Sequence, residues 1–382
     1  MSPYIETNIK LIMKKAMFIA ALMLMGMCQN LLAQTNESDF SLKGLSQVIK
    51  KMQIIDLGDF QEGLAKIKVN KGDTNYWGMI NKKGEIVIPC NYTSIKKVSD
   101  GLISVEDENG FGYVDKRGNV VIKCQYKEAN DFSEGLAAVS TKEDRKSDSW
   151  QFIDIKGKTV IPPIEQVKIV GDFHNGVAPI YKEDRKNKMK TTYLIDKKGN
   201  ITVPPQEVRC FGFSGGLFLV RNEAKGQPHR YGMMNKDGKI VIPTKYNNKL
   251  SFSDGLAVAE NDERMFGFID SAGDIKIAFQ FEAAADFNNG LALIMKNGKC
   301  GYINRNGDIV IPCQFDEAYS FSDGFAAVCQ EGKWGYIDLN GKIVIPCQYK
   351  RVYSFHEGIA VIKIGEKYGF IDKKGNSTFD YK

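Results

Sequence analysis

The segment FSDGFAAVCQEGKWGYIDLNGKIVIPCQY (321–349) restates FNNGLALIMKNGKCGYINRNGDIVIPCQF (287–315) at a shift of 34 residues. Such a chain cannot fold around one arbitrary core. Each copy must form the same small unit, and the units must bury their apolar faces on one another. The frame runs back to Phe60 and forward to Tyr381. Its glycine recurs as Gly78, Gly112, Gly232, Gly267, Gly301, Gly335 and Gly369, with Gln151 and Thr192 at that place in two drifted units.

Two turns punctuate each unit. The first begins with Asp or Asn and closes on Gly three residues later, from Asn81–Gly84 through Asp115–Gly118, Asp154–Gly157, Asp196–Gly199, Asn235–Gly238, Asp270–Gly273, Asn304–Gly307 and Asp338–Gly341 to Asp372–Gly375. An Asx side chain caps its own turn and Gly supplies the left-handed residue, so this spacing predicts a hairpin. One carboxylate per turn is too few for a calcium loop. The second turn is Phe-x-x-Gly, from Phe60–Gly63 to Phe355–Gly358, with Val98 in place of Phe once. Short β-prone runs lie between, such as LAAV (136–139), FGYVD (111–115) and IVIP (343–346). Each unit is therefore expected to be a three-stranded antiparallel meander whose third strand ends at Pro.

These features resemble the WG-repeat family, named for a Trp-Gly pair that stands here at Trp77-Gly78 and Trp334-Gly335. The resemblance covers residues 60 to 381, with Trp150 before a drifted Gln151 and other residues, such as Phe111 and Cys300, at the remaining Trp positions. It implies an all-β repeat array and no particular reaction. Nine units of three strands fit a propeller of four-stranded blades poorly. The last unit also reads NSTFDYK (376–382) where its siblings read IVIPCQY, as an end cap would. An open, twisted β-solenoid is thus expected, with a closed propeller-like ring as the alternative.

The N-terminus reads as an export signal over residues 1–33, with Met13-Lys14-Lys15 before an apolar run from Ala16 to Met27, and with Met13 as an alternative start of translation. Twelve residues are too few to span a bilayer. Cleavage is expected after Ala33 rather than lipid attachment at Cys28, because Met25 to Met27 put bulky residues where a lipoprotein signal wants small ones. Residues 34–59 are then a linker or cap, and residues 60–382 the array. Of the formal charge of +6, two units fall within the first 33 residues. The mild remainder, unclustered, argues against a nucleic-acid partner.

The motifs with a chemical look are weighed against the repeat. Cys90, Cys124, Cys313 and Cys347 all follow the Pro position. They are read as small apolar residues buried between units rather than as a disulfide ladder. Gly212-Phe213-Ser214-Gly215-Gly216 matches a nucleophile elbow, yet it is also one Phe-x-x-Gly turn and lacks the strand-to-helix setting. The Trp-position aromatics are expected to form a spine between units rather than a ligand surface. No catalytic, cofactor or metal site is therefore expected.

One feature exceeds the frame. The link before the Trp-Gly strand is five residues in regular units, as in MKNGK (295–299), but longer at 140–149, 181–192 and 221–230. The sequence KEDRK occurs in the first two, as Lys142, Glu143, Asp144, Arg145, Lys146 and as Lys182, Glu183, Asp184, Arg185, Lys186. Insertions in solenoids gather on working surfaces, so these residues are the candidate partner-binding face; the alternative is solvated hairpin ends. The chain is expected to be an exported, non-enzymatic binding or scaffold protein engaging a protein or glycan. An envelope enzyme or enzyme modulator is the alternative, and would be signalled by polar residues of one repeat phase gathering in a concave pocket.

Overall fold

Successive four-stranded antiparallel sheets follow the chain, each in the order in which its strands occur. The computed structural model describes residues 40–141, 149–184, 189–204, 208–223 and 226–380. The first sheet spans Ile54–Gln61, Leu64–Lys71, Thr74–Asn81 and Ile86–Tyr92. Single sheets follow over 167–202, 208–246, 252–281, 283–315 and 317–349, and the last, over 351–372, has three strands. Between 94 and 164 two units merge into one seven-stranded sheet, because Val120–Ala129 runs on without a break to pair with both Gly110–Asp115 and Leu136–Thr141.

Three strands per unit was one too few. The additional strand precedes Phe-x-x-Gly and is often short: Glu317–Ala318 pairs only with Cys329 and Val328. Two paired residues leave too little alternation to be legible as a strand. The strands consequently begin at Ile54, inside the segment 34–59 expected to be a linker or cap. Nor does Pro end its strand. Pro89, Pro162, Pro243, Pro312 and Pro346 lie inside strands that continue past them. They are tolerated because each strand is the last of its sheet and has an unpaired edge, where Pro also discourages edge-to-edge pairing.

The Trp-Gly glycine owes its place to the same strand. Trp77 pairs with Tyr92 and Met79 with Ile88, so three residues bulge opposite Gly78. A Cβ on Gly78 would lie 2.5 Å from the Ile88 carbonyl oxygen, and one on Gly335 2.5 Å from that of Ile345. Gly112, Gly267 and Gly301 meet Ile122, Ile277 and Ile311 in the same way, at 2.6–2.7 Å. At Gly232 the close approach is to Ile242, whereas Gly369 faces Phe379 and Thr378 of the terminal 3-10 turn, which takes the place of the missing strand.

The residue after that glycine packs on the next unit. Ring pairs Tyr113–Phe132, Phe152–Phe173, Phe268–Phe287, Tyr302–Phe321 and Tyr336–Phe355 stand 4.7–4.9 Å apart. All ten rings are at most 1% exposed. Where the inner residue is Tyr, its hydroxyl donates to a backbone carbonyl of the following unit, from Tyr113 to Asn130 and from Tyr336 to Tyr353. Burial of this stripe is the main force joining units that could not fold singly.

The same contacts join the first unit to the ninth. Phe370 meets Phe60 at 5.3 Å, and both Glu357 carboxylate oxygens accept the Gly63 N–H. A helix, α1 (Leu42–Met52), buries Leu42, Leu45 and Val48 on one face. It packs against Lys367–Asp372 and the 3-10 turn Thr378–Asp380, and its Gly44 lies against Gly84 of the first unit.

Candidate functional site

The residue immediately before each Phe-x-x-Gly turn closes the first strand or the link that follows it. At that phase stand Asp59, Lys97, Asp131, Asp172 and Asp286, with Gly212, Ser251, Ser320 and Ser354 elsewhere. Two depressions form along it and share Lys96 and Asp131. One, of 510 Å³, is bordered by Asp59, Lys66, Lys96, Lys97 and Asp131. The other, of 370 Å³, is bordered by Asp131, Asp172, His174, Arg209 and Phe211. Both volumes are in the usual range for ligand pockets, roughly 300–1,000 Å³.

The acids here are strained electrostatically. Burial pushes the Asp131 carboxyl above the ordinary range against the pull of Lys96, Lys97 and Lys66. Burial does the same at Asp172, where the neighbouring Asp131 charge adds to it and His174 and Lys96 oppose it. Asp59 is also raised by burial, with His356 opposing, its Nε2 being 3.7 Å away. Lys96 donates to the Ala129 carbonyl at 2.7 Å and stands 4.0 Å from Asp131 Oδ1. That oxygen is buried and accepts no hydrogen bond among the described residues.

Across the smaller depression Arg209 lies between two rings, with its guanidinium carbon 4.6 Å from the Tyr181 centroid and 4.9 Å from that of Phe211. Arg221 approaches Phe211 at 4.6 Å but is committed to Glu223. Lys249 lies 5.7 Å from the same ring. An arginine clamped by aromatics is held in one orientation with its N–H fork available.

Residues singled out in the sequence occupy other places. Ser214 Oγ accepts the Phe252 N–H at 2.7 Å and donates to the Phe252 carbonyl at 3.2 Å. Ser99, Ser133 and Ser322 likewise donate to Phe132, Phe173 and Phe355 of the following unit. Ser214 is thus one of a repeated set of clips, and His174 stacks on Phe213 at 4.5 Å. All seven cysteines from Cys90 onward are free thiols. Cys90 is buried, while Cys124, Cys313 and Cys347 are half-buried. Burial pushes each thiol up, Cys210 to about 12, so they stay protonated near neutrality. Among the described residues no group of three or more His, Cys, Asp or Glu is arranged to hold a metal ion.

Trp150 and Trp334 are buried in clusters that include Phe173 and Phe355 of the next unit, whereas Trp77 is half-exposed beneath Lys68, 5.1 Å from its ring. Of the KEDRK residues, Lys142, Glu143, Asp144, Arg145, Lys146, Arg185 and Lys186 lie outside the described residues. Lys182, Glu183 and Asp184 end the strand Val177–Asp184, which pairs with Met189–Asp196. Lys182 lies 5.9 Å from the Tyr193 ring. Residues 1–39, with the expected signal, are likewise outside, and no described helix is long and apolar enough to cross a membrane.

The sequence matches the family described as WG containing repeat in eight consecutive stretches, 77–110, 111–143, 150–185, 194–225, 231–264, 266–300, 301–334 and 334–368. The chain belongs to this family. No curated protein matches it. Among solved structures it is similar to BamB from Moraxella catarrhalis, at 10% identity and a TM-score of 0.36, over 67% of this chain and 81% of that one. It is similar to the β-propeller domain of the Trilobed protease from Pyrococcus furiosus at 11% identity and a TM-score of 0.33, over 76% and 98%. Prolyl oligopeptidase B from Galerina marginata matches at 9% identity and a TM-score of 0.41, this chain spanning 59% of its length and matching over 82% of its own. Likeness at this level carries no information on activity.

Proposed function

We propose that this WG-repeat chain is an exported binding or scaffold protein whose nine units close into a ring, and that it engages a protein or glycan through the polar cleft along the first strands. Closure is supported by the identity of the contacts: the ninth unit meets the first through the ring pair and the acid-to-glycine bond that join interior neighbours. A ring of rigid units holds its first strands at fixed spacing, which suits recognition without reorganisation.

The observation that carries the binding function is that, while Ser214 is tied to Phe252 and the Cys210 thiol is held protonated by burial, Asp59, Lys66, Lys96, Asp131 and Asp172 gather along one concave stretch. These groups are costly to desolvate, and their number exceeds what holding the units together needs. The same gathering favours a second function, an envelope enzyme or enzyme modulator, since two carboxylates in each other's field are a common acid–base device. Against it, the serine and thiols with nucleophilic chemistry are tied into unit interfaces or held protonated.

The test is to probe peptide and glycan arrays with residues 34–382 beside Lys66→Glu, Lys96→Glu and a variant shortened within 142–149 and 182–189. Binding lost in a folded Lys variant, with the ligand recovered unaltered by mass spectrometry, supports the binding function. Ligand recovered cleaved moves the assignment to the enzyme. Loss only in the shortened variant moves the working surface to the KEDRK hairpins.

A further inference from the structure

The smaller depression is bordered by a guanidinium, Arg209, and by two acids, Asp131 and Asp172, and both Arg209 and Asp131 have hydrogen-bonding capacity to spare. Arg209 is fixed by Tyr181 and Phe211, at 4.6 and 4.9 Å. Its contacts among the described residues are with ring faces, in contrast to Arg221, whose guanidinium donates to Glu223, and Arg230, which pairs with Asp262. A guanidinium fork is the side chain best shaped to take a carboxylate in two parallel hydrogen bonds. Bordering the same depression, Asp131 Oδ1 is buried without a hydrogen-bond donor, and Asp172 borders it too. A buried acceptor left without a donor is costly, so a native fold that keeps one invites a ligand to supply it. Lys96 pairs with Asp131 electrostatically at 4.0 Å but is too far to donate a hydrogen bond and spends one donor on the Ala129 carbonyl at 2.7 Å.

Resting on the binding function proposed above, we infer that this depression takes a small zwitterion, a free amino acid or short unblocked peptide, with its carboxylate on Arg209 and its ammonium group at Asp131 and Asp172. The ammonium supplies three donors to a site that has acceptors to spare, and the carboxylate meets the available fork. The body of the ligand lies over Phe211 and Pro179, which border the same space. A volume of 370 Å³ suits two small residues better than a long peptide. A purely anionic sugar would satisfy Arg209 and face two acids; a purely cationic ligand would do the reverse. Only a molecule bearing both charges answers both the guanidinium and the acids.

Calorimetric titration of residues 34–382 at neutral pH with L-alanyl-L-alanine, its N-acetyl form and its C-terminal amide tests the assignment. The free dipeptide is expected to bind saturably, and each blocked form at least about tenfold more weakly, one lost charge-assisted hydrogen-bond pair being worth that factor or more. Arg209→Gln is expected to equalise the free acid and the amide while preserving discrimination against N-acetylation. Asp131→Asn is expected to do the opposite. Equal affinity of wild type for all three probes, discrimination unchanged in both variants, or no binding of any probe by the folded chain would overturn the zwitterion. If array ligands still depend on Lys66 or Lys96 after such a result, the binding function stands and only the ligand class fails. If no array ligand depends on them either, both fail.

Discussion

The Gly63 N–H donates to the carboxylate of Glu357, at 3.0 and 3.2 Å from its two oxygens, although 294 residues separate them. The same bond joins neighbours elsewhere: Gly135 to Asp100, Gly176 to Glu134, Gly290 to Asp254 and Gly358 to Asp323. In each case the acid sits one residue before its own turn glycine and receives the glycine of the following unit. A cation from the following unit's other turn often completes the contact. Lys197 reaches Glu134 at 3.1 Å and Lys373 reaches Asp323 at 3.1 Å, while Lys82 of the first unit reaches Glu357 of the ninth at 2.9 Å. The ninth unit therefore treats the first as its successor.

If that bond persists in solution, Glu357→Ala should destabilise the chain by about 1–2 kcal/mol, a charge-assisted bond discounted for its partly exposed acceptor. Asp323→Ala, at an interior interface, should cost a similar amount. Urea midpoints of the two variants give the comparison, and hydrogen exchange at Gly63 gives a local one. A loss at Asp323 with none at Glu357, together with fast exchange at Gly63, would mean that the ends separate and the array is open.

Gly335→Ala should be among the most damaging single-methyl changes available. The new Cβ would stand 2.5 Å from the Ile345 carbonyl oxygen and 2.7 Å from both the Pro346 carbonyl carbon and the Cys347 nitrogen, so the bulged strand must move. A cost of about 2–4 kcal/mol is expected from overpacking against backbone that has no rotamer to yield. Gly332→Ala is the control. Its φ is +71° and nothing lies within 4 Å of the added methyl, so only the left-handed backbone penalty of about 1 kcal/mol applies. Comparable losses in chemical denaturation would remove the bulge as the reason for the repeated glycine.

Ser214→Ala should behave as the loss of a clip between units and not as the loss of a nucleophile. Its hydroxyl both donates to and accepts from Phe252, and Ser322 holds Phe355 by the corresponding donated bond at 2.6 Å. Each Ala variant is expected to cost about 1 kcal/mol, and any ligand binding measured for the wild type should survive once the protein is folded. Abolished turnover of a discovered substrate in Ser214→Ala alone, with the fold intact, would restore the nucleophile-elbow interpretation.

Much of this fold is legible because turns are local. Asn304–Gly307 and Phe321–Gly324 declare themselves through residue types that a hairpin demands, and their 34-residue spacing fixes the unit. The fourth strand was hidden in some units because Glu317–Ala318 and Ala283–Ala284 pair over only two residues each, and in others because a bulge before the Phe, as between Leu57 and Phe60 or Val352 and Phe355, breaks its alternation. Pro312 misled because the sequence does not say which strand is the edge. The candidate site left a signal that went unused: Asp precedes Phe in GDF (58–60), NDF (130–132), GDF (171–173) and ADF (285–287). At two of these positions the acid is tied into the array, Asp286 to Ser251 and Val258 and Asp172 to Asn130, whereas Asp131 keeps an oxygen without a donor. The partnership of Arg209 with Tyr181 and Phe211 left none, since it joins strands of two units whose packing only the fold reveals.

A residue retained for binding rather than stability should betray itself in the pH dependence of unfolding. The Asp131 carboxyl is raised above its ordinary 3.8 by burial, so the folded state holds the proton more tightly than the unfolded chain does. Its contribution to stability is then fully present below the unfolded value and is lost as the pH rises through the folded one. At pH 7 the wild type carries the cost of an ionised, partly desolvated carboxylate. Asp131→Asn removes that charge and keeps the shape, so it should raise the thermal midpoint at neutral pH. The advantage should shrink as the pH falls through the folded value and vanish well below the ordinary 3.8, where wild-type Asp131 is protonated in both states. Midpoints measured across that range decide the matter: a lowered midpoint for Asp131→Asn at every pH would make Asp131 a stabilising partner of Lys96, and its conformity to the proposed ammonium site would then need another explanation.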